Sequence, residues 1–244
     1  MISLKLFTLS YLLIRLSTIN AQENLLVKSD NAFFPTIAKF ECTLKNYEGG
    51  EYKNYYDLIT YMKGNRKYLA YTVDPPIARR ESHLRVDNEI WIYLGKIKKS
   101  TRISAKANFS GSTFTEEDIL STSLAYYYNL TNVQTVNVEN RQLIKLTMLS
   151  KSDETAYKKI ESFIDENTYL PVTRYYYSYS NQRIKELNIK DIVRRDGKLV
   201  KAKFVMKDLL RQGVYTELYI KNVEYLDDLP DRMFTKKYME IASE

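Results

Sequence analysis

Apolar and polar residues alternate with a period of two along most of this chain. The alternation is clearest at Ala38/Phe40/Cys42/Leu44, Ile144/Leu146/Met148, Val200/Ala202/Phe204/Met206 and Val214/Thr216/Leu218/Ile220. Because successive strand residues point to opposite faces of a sheet, this pattern predicts antiparallel strands with one buried and one wet face. Turn dipeptides separate the alternating stretches, and Asp196-Gly197 is the clearest two-residue hairpin signal. The chain is therefore expected to be mainly β.

Helix signals are few and short. Thr115 precedes three acidic residues, and Thr235 precedes a short segment that ends at Ala242, so each threonine is a candidate N-cap. A third short helix is expected near residues 23–29. No long linker, low-complexity tract or fixed repeat interrupts the 244 residues. We therefore predict one domain that spans residues 22–244.

The first 21 residues are typical of an export signal. Lys5 precedes the apolar run Leu6–Ile14, and Ala21 ends a small and polar stretch. This run is shorter than the ~20 apolar residues that a membrane-spanning helix needs. Cys42, the only cysteine, lies well beyond the signal, so neither a lipid-modified cysteine after the signal nor an intramolecular disulfide is expected. These features predict export to the periplasm, and the protein is expected to be a monomer.

The sequence offers little for catalysis. His83 is the sole histidine and has no histidine or cysteine partner at metal-binding spacing. No glycine-rich phosphate loop or G-x-S-x-G elbow occurs. We therefore predict a protein that is not an enzyme, with no catalytic residue, metal or cofactor. His83 is expected at the surface or in packing, and Glu117 and Asp118 are expected to favour a helix dipole at the surface.

The charge and the tyrosine content indicate the kind of partner. The formal net charge is +7, which permits contact with anionic lipid surfaces, and no motif for nucleic acid is present. The 22 tyrosines include runs at 126–128 and 175–177, which would place tyrosines on both faces of a sheet. This abundance reflects either β-propensity or a cavity whose aromatic walls accept amphipathic ligands.

The segment from Asn88 to Leu120 carries a family resemblance. Its matching residues, in order, are Trp91, Tyr93, Arg102, Ile103, Ser104, Phe109, Gly111, Ser112, Phe114, Glu117 and Asp118. This order is similar to that of the outer-membrane lipoprotein-sorting protein family, relatives of the carriers LolA and LolB. Further matches are Gly213–Thr216, Leu229-Pro230-Asp231 and Phe234-Thr235. Two positions depart from the family pattern, Gly95 in place of proline and Arg79–Ser82 in place of a small-residue turn, so the loops around this strand are expected to differ.

The resemblance implies a large curved antiparallel sheet that forms an unclosed barrel with a helical lid. It also implies a non-enzymatic carrier or binding protein for lipid or lipid-modified protein, served by a partner protein of the inner or outer membrane. Predicted cavity residues are Trp91, Tyr93, Phe109 and Phe114, and the predicted head-group rim is Lys96, Lys98, Lys99 and Arg102. The alternative is an envelope interaction module with a filled barrel, which binds a protein partner or an anionic membrane surface.

Overall fold

The computed structural model describes residues 25–32, 34–121 and 123–243. The predicted export signal, residues 1–21, lies outside the described residues. No helix in the described part of the chain is both long and apolar enough to cross a membrane.

Thirteen strands of the described chain form one antiparallel sheet, which is not closed into a barrel. In chain order they are β1 (Ile37–Glu48), β2 (Glu51–Lys63), β3 (Lys67–Asp74), β4 (Glu81–Val86), β5 (Glu89–Leu94), β6 (Lys99–Ile103), β7 (Tyr128–Val138), β8 (Arg141–Ser150), β9 (Lys159–Asp165), β10 (Pro171–Tyr177), β11 (Arg183–Arg195), β12 (Lys198–Asp208) and β13 (Tyr215–Tyr225). Their order across the sheet is β6-β5-β4-β3-β2-β1-β13-β12-β11-β10-β9-β8-β7. The predicted fold class is confirmed.

The helices within the described residues are short. They are α1 (residues 25–32), α2 (Glu116–Ile119), α3 (Leu124–Tyr127) and α4 (Lys236–Ala242), with 3-10 turns at Phe109–Gly111 and Asp231–Phe234. Thr115 and Thr235 are the N-caps of α2 and α4, each accepting a hydrogen bond from a backbone N–H of the helix that follows. Both predicted caps are confirmed.

The alternating stretches form strands as predicted. Ala38, Phe40, Cys42 and Leu44 are buried on one face of β1, and Ala202, Phe204 and Met206 are buried on the same face of β12. Asp196 and Gly197 join β11 to β12 with φ angles of 51° and 74°. Positive φ at both central residues is the conformation that a tight hairpin turn requires.

The order of the strands determines where the rest of the chain must run. β6 and β7 follow one another in sequence but lie at opposite edges of the sheet. Residues 104–127 therefore cross one whole face of the sheet, which we call the inner face. This crossing segment contains the first 3-10 turn, α2 and α3, and it supplies the helical cover that the resemblance implied.

A separate hydrophobic cluster lies on the opposite, outer face. It contains Leu69, Leu84 and Tyr93 from the sheet, which pack with Phe234 and with Met239 of α4. Ser243 donates a hydrogen bond to Ser82 at 2.7 Å, and the Lys236 ammonium lies 3.9 Å from the centre of the Trp91 ring. The C-terminal helix thus covers the outer face, while the crossing segment covers the inner face.

Candidate ligand-binding site on the inner face

The centre of the crossing segment is attached to the middle of the sheet by Thr113. Its backbone N–H donates to the Thr216 hydroxyl of β13 at 2.9 Å, and its own hydroxyl donates to the Met206 carbonyl of β12 at 2.9 Å. The buried Lys185 of β11 donates to the Thr113 carbonyl. Burial lowers the pKa of this lysine. Three neighbouring strands therefore hold one residue of the segment.

His83 fastens α2 to β4. The ring is fully buried between two carboxylates, with Nδ1 3.0 Å from Glu116 and Nε2 3.1 Å from Glu81, and it stacks on Phe109. Burial by itself lowers the pKa of His83, but the two carboxylates outweigh it and raise the pKa to about 9. His83 is therefore a structural cation. Ser110 also donates its hydroxyl hydrogen to Glu81, at 3.0 Å.

Glu117 and Asp118 fasten the other side of α2. Glu117 accepts hydrogen bonds from the Tyr128 hydroxyl at 2.6 Å and from the Ala156 backbone N–H at 3.0 Å. Asp118 accepts one from the Tyr157 hydroxyl at 2.6 Å. Burial raises the pKa of Glu117. The prediction that this pair lies at the surface was wrong, because Glu117 is buried and both carboxylates bind groups from β7 and the β8–β9 loop.

A cavity remains between the crossing segment and the inner face. Its volume is about 100 Å³, counted as the space that the centre of a water molecule can reach. Most lining side chains are apolar or aromatic, with Phe40 and Cys42 from β1, Leu58 and Met62 from β2, Phe204 from β12, and Leu218 and Ile220 from β13. Burial raises the pKa of the Cys42 thiol to about 12, so this cysteine is a neutral wall residue.

Polar groups line part of the same cavity. Glu117, Asp118 and Ser121 enter from the crossing segment, Thr60 from β2 and Arg174 from β10. Tyr128 and Tyr176 add buried rings whose hydroxyls lie among these charges. An apolar space with a few polar groups on its wall is the usual form of a small-molecule site. It suits a ligand that is mostly hydrocarbon and has one polar end.

Comparison with known proteins places the chain in a family. A family model described as "Uncharacterized protein" matches residues 64–241, which is most of the chain. The chain belongs to this family. No curated protein matches the sequence.

Solved structures identify the fold as LolA-like. A LolA superfamily protein from Nitrosomonas europaea has a TM-score of 0.81 at 19% identity, over 89% of this chain and 98% of that one. A domain from Vibrio parahaemolyticus described as an outer membrane lipoprotein-sorting protein has a TM-score of 0.78 at 17% identity, over 91% and 99% of the two chains. A DUF1329 family protein from Desulfovibrio piger has a TM-score of 0.76 at 20% identity, over 91% and 98%. The predicted resemblance is confirmed as a similarity of fold.

The four aromatic residues predicted for the cavity occupy three different environments in the LolA-like fold. Phe114 lines the cavity. Phe109, within the crossing segment, is fully buried against β4, where it stacks on His83 with ring centres 4.1 Å apart. Trp91 and Tyr93 lie on the outer face, packed in the cluster beneath α4. The structure therefore brings only Phe114 to the cavity wall.

The predicted rim residues lie at one end of the sheet, away from the cavity lining. Lys96 and Lys98 are exposed in the β5–β6 turn, and Lys99 and Arg102 are exposed on the edge strand β6. Arg102 lies 3.5 Å from Glu89. Gly95 stands where the family pattern has proline, and the structure gives a local reason. A Cβ at this position would lie 2.4 Å from the Arg80 Cβ.

Several residues of the site were missed from the sequence. Glu116, Tyr157 and Lys185 carry polar contacts, while Leu58 and Leu218 were not singled out as cavity walls. The alternation marked Leu218 as buried, but it cannot tell a wall residue from a core residue. The tyrosine runs were a useful signal, because Tyr127, Tyr128 and Tyr176 line the cavity while Tyr175 and Tyr177 are on the outer face.

Proposed function

We propose that the protein is an exported, periplasmic carrier or binding protein for lipid or lipid-modified protein, which performs no covalent chemistry. The observation that carries this proposal is the apolar cavity beneath the crossing segment, with a small polar group of Glu117, Asp118, Ser121 and Arg174 on its wall. An acyl chain would lie against Leu58, Phe204 and Leu218. Its polar end would face the charged and hydroxyl groups.

The free energy of burial favours this ligand class. Each buried methylene contributes ~0.8 kcal/mol, so a chain of ~15 carbons contributes on the order of 12 kcal/mol before ordering costs. The cavity volume of about 100 Å³ is smaller than the ~300–1,000 Å³ of usual small-molecule pockets. A long chain would therefore need the crossing segment to shift or side chains such as Met62 to repack, which thioether flexibility allows.

The similar structures support the fold on which this proposal rests. The Vibrio parahaemolyticus domain is described as a lipoprotein-sorting protein, and it matches nearly the whole of this fold. We extend that description to this chain as part of the proposal. A donor or acceptor protein of the inner or outer membrane would then load or unload the cavity.

Native mass spectrometry of the protein purified from its own host tests the proposal. We expect added mass that corresponds to lipid, released by organic extraction and identified in the extract. A protein that is empty after purification, and that also takes up no fluorescent fatty acid, would contradict it. Delipidation followed by reloading distinguishes a ligand that was lost during purification from a site that never bound one.

A second candidate function, contact with an anionic membrane surface, is favoured by two adjacent turns at one end of the sheet. Ile77 in the β3–β4 loop is 71% exposed and Ile97 in the β5–β6 turn is 63% exposed. The Gly95 backbone N–H donates to the Arg80 carbonyl at 3.0 Å, which holds the two turns together. Exposed cations surround these two turns: Arg79, Arg80, Lys96, Lys98 and Lys99. Exposed aliphatic residues within a basic patch suit an anionic bilayer interface.

Sedimentation with lipid vesicles tests this second function. We expect the protein to bind vesicles that contain phosphatidylglycerol more strongly than vesicles of phosphatidylcholine alone. Ile97→Asp should weaken binding, whereas Ile241→Asp in α4, a position of equal exposure, should leave it unchanged. Equal binding by both variants would exclude this end of the sheet as the membrane contact.

A further inference from the structure

The two edges of the sheet differ in how they are protected. β6 has five residues and carries Lys99 and Arg102, whereas β7 has eleven residues with no charged residue and no proline. Within the described residues, β8 is the only strand that pairs with β7. Natural sheets usually block an edge with charge, proline or short length, because a free edge pairs with other strands. The β7 edge has none of these protections.

One irregularity limits how much of this edge can pair. The register of β7 against β8 shifts between Leu130 and Asn132, which leaves Thr131 without an opposite residue. A bulge of this kind disturbs pairing locally. From Asn132 to Val138 the ladder is regular, and the residues of this stretch are exposed or half-buried. Seven consecutive residues of undisturbed strand are therefore available.

The turn after β7 determines which backbone groups point outward. Glu139 and Asn140, with φ angles of 48° and 62°, form a two-residue turn that closes on the pair Val138 and Arg141. Hydrogen-bonded pairs alternate along an antiparallel ladder, so Val138, Val136 and Gln134 bond to β8. The N–H and C=O groups of the residues between them, Val133, Thr135 and Asn137, therefore face outward.

We propose that β7 pairs in antiparallel fashion with β7 of a second copy of this chain, about a two-fold axis at Thr135. Thr135 then lies opposite Thr135 of the partner subunit, and Val133 lies opposite Asn137 of the partner subunit. Val133, Thr135 and Asn137 each give and receive one backbone hydrogen bond across the axis. This register uses the whole regular stretch and excludes the bulge.

The charge pattern favours a second copy as the occupant. A strand without charge can meet its own copy without repulsion, although the chain as a whole carries a net charge of +7. Pairing of β7 with β6 of another copy would leave free edges and extend into a filament. The short length of β6 and its Lys99 and Arg102 oppose that outcome. The remaining pairing closes on itself as a dimer, in place of the monomer that the sequence predicted.

Disulfide trapping tests the register. In Thr135→Cys, the two cysteines at the axis would have Cα atoms ~5.5 Å apart, which suits a disulfide. Under mild oxidation we expect a covalent dimer of this variant to form much faster than one of the matched control Thr101→Cys at the other edge. Cys42 is buried and its thiol has a raised pKa, so the wild type should remain unlinked. Equal rates for the two variants would overturn the proposal.

Sedimentation equilibrium tests the association without a cross-link. The wild type should show a concentration-dependent dimer. Thr135→Lys should raise its dissociation constant at least about tenfold, because two like charges would lie opposite one another. Thr101→Lys should leave the constant unchanged. A wild type that is monomeric throughout its soluble range would contradict the inference, whether or not the protein binds lipid.

Discussion

The positive charge of His83 helps to attach the crossing segment to the sheet. The ring lies between Glu81 and Glu116, and its pKa rises from 6.5 to about 9 on folding. A raised pKa means that the folded protein holds the proton more tightly. The resulting stabilisation is fully present below pH 6.5 and is lost as the pH rises through about 9.

The variant His83→Gln should remove this pH dependence. From the shift of the pKa, we expect the wild-type free energy of unfolding to fall by roughly 3 kcal/mol across this pH window. Urea unfolding at a series of pH values measures it. Gln can donate from its side-chain NH2 group to one of the two carboxylates, but it carries no titrating charge. Parallel stability curves for wild type and variant would show that His83 does not hold the α2 attachment through its charge.

Residues that act locally could be predicted from sequence, and residues that act at a distance could not. Thr115 and Thr235 were identified as N-caps because a cap and its helix are adjacent in the chain. His83 and Glu116 are 33 residues apart, and their contact depends on the path of the crossing segment. The residues next to His83 in the sequence gave no sign of its contact with Glu116.

The crossing segment is the element whose attachment should control access to the cavity. Thr113→Val keeps the side-chain shape but removes the hydroxyl that donates to Met206. Loss of this one buried hydrogen bond should cost about 0.5–1.5 kcal/mol. We expect faster hydrogen exchange over residues 109–121, while exchange in the central strands changes less.

A matched control separates this effect from a general loss of stability. Thr101→Val removes the same atom from an exposed position on β6, and it should leave exchange in the crossing segment at the wild-type rate. Uniformly faster exchange in Thr113→Val, with no concentration at residues 109–121, would mean that the segment opens only by global unfolding.

The sequence predicted the individual strands, but it did not predict their order across the sheet. The alternation in β1, β8, β12 and β13 is a local property with a fixed period. The separation of β6 and β7 to opposite edges depends on pairings between distant strands, such as β1 with β13. No local pattern encodes those pairings, so the path of residues 104–127 emerged only from the structure.

At the scale of the whole molecule, the two faces of the sheet should have separable roles. Trp91→Leu removes the ring beneath Lys236 on the outer face. We expect destabilisation of about 1–3 kcal/mol, in the usual range for lost packing, with unchanged lipid uptake. Thermal unfolding and fatty-acid titration measure the two effects. Loss of uptake without loss of stability would restore Trp91 to the ligand site that the sequence predicted.

The family resemblance predicted the architecture, but it did not assign residues to faces. Trp91 and Tyr93 were predicted to line the cavity because they are the most distinctive residues of the matching segment. Alternation alone does not show which helix covers which face of β5. The register of β5 with β4 places them opposite Leu84 and Ser82, beneath α4. Phe114 was chosen for the same reason, and it does line the cavity.

Binding of a fluorescent long-chain fatty acid to Leu218→Trp tests the central claim most directly. Leu218 lines the cavity, so a larger ring there should fill space that the acyl chain needs. Leu149→Trp adds the same ring on the outer face of β8, at a position 38% exposed. We predict that wild type and Leu149→Trp bind alike and that Leu218→Trp binds far more weakly. Equal binding by all three folded proteins would contradict the cavity as the lipid site.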